Sequence, residues 1–146
     1  MINLKEYGEY WQDIPQRIPA ITRTLGVTVD EEMGPRLQRI KSGEITLFYI
    51  VPSAQANKSS DADAYTEENL CVIFLMKKYD PQRDDVVKTL EAVQEVMEEL
   101  KALLMDDSAT GCPALAGLKV TSLSTIPETN FYGHYAGWSL GFTLLS

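Results

Sequence analysis

The sequence predicts one α+β domain, a mainly antiparallel four-stranded sheet with helices on one face, in the order α-β-β-α-β-β. Three observations lead there. Apolar residues recur at helical spacing near the N terminus and again over residues 81–105. Four runs rich in β-branched, aromatic or continuous apolar residues sit between Gly-, Pro- and polar-rich breaks. The runs come as consecutive pairs punctuated by helices, a pattern in which helices cover one face of a sheet. A chain of 146 residues has the common size of a single domain, and no second-domain linker or internal repeat is visible. At that length folding buries roughly 70% of the unfolded chain's surface, enough for a core without staples.

Taken in order, Leu4, Tyr7, Trp11, Ile14, Ile18 and Ile21 trace an amphipathic stripe over residues 3–23. Pro15 and Pro19 each remove a backbone donor, so this helix is expected to be kinked or split. Residues 26–43, with the acidic Asp30, Glu31 and Glu32 and a Gly34-Pro35 break, predict a loop with one helical turn. Ile45, Leu47, Tyr49 and Val51 share one face of a first strand. Residues 52–69 are Ser-, Ala-, Asp-, Asn- and Glu-rich and lack an apolar period, which predicts a flexible polar loop. Residues 70–76 are apolar at every position and predict a strand covered on both faces and central in its sheet. Asp80 as cap and Pro81 as first helical residue open the long helix, whose stripe runs from Val86 to Leu104. Its other face, with Glu91, Glu95, Glu98, Glu99 and Lys101, reads as solvated surface. After a Gly/Pro-rich loop, residues 118–123 and 131–145 predict the last two strands.

The formal net charge of −8 is local. Residues 51–110 carry six Lys/Arg against thirteen Asp/Glu, whereas residues 111–146 carry only Lys119 and Glu128. This balance argues against a phosphate-tracking nucleic-acid surface, which needs clustered cations. The uncharged stretch 129–146 has the length of a short membrane span, but Asn130, Gly133, His134, Gly137, Ser139, Gly141 and Thr143 interrupt it and its apolar residues alternate as in a strand. No membrane partner is expected. The first residues lack the basic-then-apolar layout of a signal peptide, and the expected location is cytoplasmic. Cys71 lies in an apolar run and Cys112 in a Gly-Cys-Pro loop, a pattern of neither disulfide framework nor zinc site.

No catalytic motif, cofactor fingerprint or metal site is predicted. His134 is the single histidine and has no nucleophile motif beside it; it reads as a strand histidine among aromatics. The pairs Asp61/Asp63 and Asp84/Asp85 lack the remaining ligand spacing of a calcium loop. Gly133, Gly137 and Gly141 are spaced by four, which in a strand places them on one face with Tyr135, Ser139 and Thr143. Tyr132, His134, Ala136, Trp138, Leu140, Phe142 and Leu144 then form the large apolar face. The glycine face predicts close approach of a neighbouring element or, alternatively, of a second subunit. Phe131, Gly133, Tyr135, Gly137, Ser139 and Gly141 are the candidate interface residues.

The N-terminal amphipathic helix, two strands with a polar excursion, the long helix and the ending Tyr135-Ala136-Gly137-Trp138-Ser139-Leu140-Gly141-Phe142 resemble the layout of phage tail-terminator or tail-completion proteins. The resemblance implies a non-enzymatic subunit of a homo-oligomeric ring that meets tail-tube or neck proteins, and thus a virion or cytoplasmic location. Residues 131–138 and the loop 52–69 would then supply subunit contacts. The alternative is a small ligand-binding or regulatory protein with a pocket between the sheet and the long helix, lined by Tyr7, Trp11, Tyr49 and His134.

Overall fold

In the computed structural model the described residues are 1–28, 35–38, 40–131 and 133–146. The chain runs α1 (Leu4–Arg17), β1 (Ile21–Val27), β2 (Ile45–Ile50), β3 (Ser53–Ala56), β4 (Glu67–Lys78), α2 (Val86–Ala109), a 3-10 turn (Pro113–Leu115), β5 (Leu118–Phe131) and β6 (Tyr135–Leu145). The strands form one six-stranded mixed sheet of order β1-β2-β4-β6-β5, with β3 paired to β4 beside β2. The expectation of four strands is corrected to six, and the order α-β-β-α-β-β to α-β-β-β-β-α-β-β.

Each difference has a local cause. The N-terminal helix stops at Arg17 because Pro19 disfavours helical geometry at Ile18, whose φ is −125°. Ile21, the last residue of the apolar stripe, therefore opens β1. β1 pairs parallel with β2, from Ile21 opposite Ile45 to Val27 opposite Ile50. Parallel neighbours require the chain to cross back over the sheet. That crossing carries a short helical turn at 35–37 and buries Leu37 and Ile40 against Val27, Phe48, Met76 and Tyr135 on the second face. The expected acidic loop at Asp30, Glu31 and Glu32, with Gly34, lies outside the described residues.

The stretch expected as a loop at 52–69 keeps a loop at 57–66 but is flanked by paired strands, β3 and the start of β4, which with it make the β3–β4 arm. β3 pairs antiparallel with the first residues of β4, Ser53 opposite Leu70 and Ala56 opposite Glu67. Its sequence, Ser-Ala-Gln-Ala, has no apolar alternation because all four side chains are exposed and only the backbone is recruited. β5 was expected to end at Leu123 but runs to Phe131, with a register shift between Lys119 and Ser124. As an edge strand it needs no apolar face on its outer side, which hid its second half in the sequence.

The residues 70–76 do lie in the central strand. Cys71, Ile73 and Leu75 are buried on the helix-covered face; on the other, Met76 is buried but Val72 and Phe74 are half-buried and Leu70 is exposed, so the expected cover of both faces is complete at one end only. α1 contributes Tyr7, Trp11, Ile14 and the adjoining Ile18 to that main core; α2 contributes Val93, Val96, Met97, Leu100 and Leu104. Both long helices thus occupy one face, as the sequence predicts. Asp85, not Asp80, caps α2, accepting a hydrogen bond from the Val87 amide at 2.8 Å, and the helix begins at Val86 rather than Pro81. Asp80 instead accepts from the Gln82 amide in the turn before it.

The far ends of the helices are joined by a polar clamp. Arg17 donates to both carboxylate oxygens of Asp107, at 2.5 and 2.9 Å, and Tyr10 donates its hydroxyl to the same group at 2.7 Å. The Arg17 guanidinium holds the Asp107 carboxyl below its ordinary range, while burial and the neighbouring carboxylate raise Tyr10. The clamp's contribution is complete above the unfolded carboxylate pKa of about 3.9 and is lost as pH falls through the lower folded value. Asp107→Asn is expected to cost about 1–2 kcal/mol at neutral pH and to flatten the loss of stability on acidification. Urea denaturation of both proteins along an acid pH series checks this; equal acid limbs would refute it.

Candidate functional site

A concavity lies at one end of the sheet, where β4 leaves, α2 begins and β5 turns into β6. It is an open cleft of about 930 Å³. Lys77, Lys78, Arg83, Lys88 and His134 bring basic groups to it. Asp80, Asp84 and Asp85 also line it, but Asp84 accepts from the Asp80 amide at 2.7 Å and Asp85 from the α2 first turn, so these carboxylates are engaged with backbone. Arg83 lies 3.7 Å from Asp80. Among the described residues, Lys77, Lys78 and Lys88 have no carboxylate within ion-pair distance. An otherwise acidic chain thus gathers three unpaired lysines at one end of its sheet.

His134 belongs to the turn, not to a strand. Gly133, with φ +82°, and His134 reverse the chain between β5 and β6, and the exposed histidine's carbonyl accepts from the Tyr79 amide at 2.9 Å. A positive φ is the backbone state that glycine enters without a Cβ penalty. Gly133 consequently does not share a strand face with Gly137 and Gly141. Tyr132, expected on the apolar face, lies outside the described residues.

The two faces of β6 are otherwise as the alternation predicts. Ala136 is buried, Leu140, Phe142 and Leu144 are buried in the main core, and the half-buried Trp138 donates its indole N–H to the Leu90 carbonyl of α2 at 2.9 Å. Of the candidate interface residues, Phe131 pairs through its backbone with Tyr135. Tyr135 is buried with Leu37 and Ile40 and donates its hydroxyl to the Leu37 carbonyl at 2.7 Å. Burial raises its phenol pKa. Ser139 is buried and donates to the Glu128 carboxylate at 2.9 Å. A Cβ on Gly137 would stand 1.8 Å from the Leu75 carbonyl oxygen, whereas one on Gly141 would meet only the Cys71 carbonyl at 4.0 Å. The close approach predicted for the glycine face is that of β4, the neighbouring strand, and it is confined to Gly137.

The aromatic group suggested as a pocket is divided. Tyr7 and Trp11 are buried and meet edge to face at 5.8 Å; Tyr49 stands 6.0 Å from Tyr7, and Phe142 lies 6.3 Å from Trp11. Rings fill the space between α1 and the sheet. Tyr49 also reaches over Gly26, where a Cβ would lie 2.6 Å from its ring and hydroxyl. Burial pushes the neighbouring Cys71 thiol up to about 11, so it is a protonated core group rather than a nucleophile at neutral pH. His134 sits at the cleft, away from these rings.

Among the described residues no group of three or more His, Cys, Asp or Glu side chains is arranged to hold a metal ion. Asp61 accepts from the amides of Asp63 and Ala64 within the arm's turn. No helix among the described residues is long and apolar enough to cross a membrane. No known family model matches the chain, and no curated protein matches its sequence.

The difference between the two strand glycines is measurable. Gly137→Ala is expected to destabilise the protein by about 2–3 kcal/mol, because the colliding atom is backbone and β4 must move. Gly141→Ala should stay within about 1 kcal/mol of the parent. Chemical denaturation of the two variants would expose equal effects, which would refute this account.

Proposed function

We propose that the chain is a non-enzymatic structural subunit that assembles with copies of itself, in the manner of the phage tail-terminator and tail-completion proteins that its layout resembles. The observation that carries the reading is the β3–β4 arm. Every side chain of β3 is exposed, and Tyr65 and Leu70 on the arm are 61% and 44% exposed. β3 is an edge strand held to β4 by backbone pairing alone, and it buries none of its own side chains. Such an arm has a reason to persist if its side chains are buried in an assembly. On the same sheet face, Val72 is half-exposed and Ile126 is exposed beyond the region that Leu37 and Ile40 cover.

A small-ligand pocket between the sheet and α2 has less support. Val93, Met97, Leu100 and Trp138 occupy that space. The tail-protein reading further implies contact with tail-tube or neck proteins and a place in the virion. Coding-sequence neighbours for capsid, portal or tail proteins would favour it.

Sedimentation velocity and native mass measurement over a wide concentration range are the direct test. A discrete homo-oligomer is expected. Replacing residues 57–66 by the two-residue turn Asn-Gly trims the arm and is expected to give a folded monomer. A parent protein that remains strictly monomeric at millimolar concentration would overturn the reading.

A further inference from the structure

We propose that copies of this protein join head to tail, the acidic β3–β4 arm of one copy seating in the lysine-bearing cleft of the next. The inference rests on the self-assembly reading above and specifies its contact.

The charge pattern of a single strand is the starting point. β4 begins with Glu67 and Glu68 in the arm, Glu67 already paired with the N-terminal amine of Met1, and ends with Lys77 and Lys78 in the cleft. Twelve strand residues separate these ends by about 36 Å. At physiological ionic strength the Debye length is about 8 Å, so the two ends do not neutralise one another within a molecule. Asp61 and Asp63 add negative charge at the arm's turn, against the single cation Lys58, and all three are exposed. At the other end Lys78 and Lys88 are exposed, and with the half-buried Lys77 they have no carboxylate partner among the described residues. A contact between two copies satisfies both ends at once.

Shape points the same way. The four β3 side chains and Asp61, Asp63 and Tyr65 of the following turn are exposed, while the cleft is a concavity of about 930 Å³ at the opposite end of the sheet. The arm also presents Tyr65, an aromatic side chain of the kind enriched at contact centres. The other acidic residues, Glu91, Glu95, Glu98 and Glu99, lie on α2, the helix that starts at the cleft's own rim, and Glu98 is already paired with Lys101. An arm-to-cleft contact joins two different patches and is heterologous, so repetition either closes a ring or extends a filament.

Two double variants test this. Lys78→Glu with Lys88→Glu makes the cleft acidic; Asp63→Lys with Glu68→Lys makes the arm basic. Each alone is expected to weaken self-association about tenfold, because like charges then face one another. An equimolar mixture is expected to restore it, since the basic arm of one variant matches the acidic cleft of the other. Sedimentation velocity reads association, and thermal melts verify that each variant folds. Parent protein that associates while both variants associate equally well would overturn the arm-to-cleft contact and leave self-assembly standing. Weakened variants that fail to rescue one another would overturn it too. A monomeric parent would overturn both readings. Should either variant fail to fold, salt titration of the parent decides: association that weakens as sodium chloride rises supports the contact, and association indifferent to salt refutes it.

Discussion

The rest of the structure depends on the antiparallel pairing of β4 with β6, which runs unbroken from Glu68 opposite Leu145 to Lys78 opposite Tyr135. This long ladder places Cys71 opposite Phe142, Ile73 opposite Leu140 and Leu75 opposite Trp138. These pairs make the floor on which both helices rest. Because side chains alternate across a strand, one register decides both faces at once. The same ladder that buries Ile73 and Leu140 toward the helices turns Met76 and Tyr135 toward the opposite side. A slip of one residue would present Lys77 and the glycines of β6 to the wrong surfaces.

The two faces are closed by different means. On the first, α1 and α2 contribute large apolar side chains, and the Arg17–Asp107–Tyr10 clamp fixes the far ends of the helices. On the second, the cover is a by-product of topology. β1 and β2 are parallel neighbours, so the chain between them must cross the sheet, and it leaves Leu37 and Ile40 over one end only. Asn69 is a third fixing point. Fully buried on the helix side, it donates to the Leu144 carbonyl and Ser146 hydroxyl and accepts from the Ile2 amide, so the cost of burying its amide is offset by bonds at both polar atoms.

β4 carries charged residues at both ends, on either side of the buried Cys71, Ile73 and Leu75. One end becomes the arm, stabilised by backbone pairing with β3 and carrying carboxylates. The other opens into the cleft and carries lysines. The polarity of the molecule is therefore written along one strand, and an assembly built on it would inherit a direction.

The sequence by itself determined the α+β class, the identity of the central strand, the apolar stripe of α2 and the even-numbered core face of β6. Each is set by local hydrophobic periodicity, which survives in any register. It did not reveal β1, whose first residue completes a helical stripe until Pro19 interrupts it, nor β3, whose four side chains are exposed and carry no apolar period. Only the tertiary structure decided that β1 and β2 run parallel, that Gly137 yields to the β4 backbone while Gly141 does not, and that Lys77, Lys78 and Lys88 meet His134 at one cleft. These are contacts between residues far apart in the chain, and their geometry is fixed by strand pairing and crossover rather than by any neighbour in sequence.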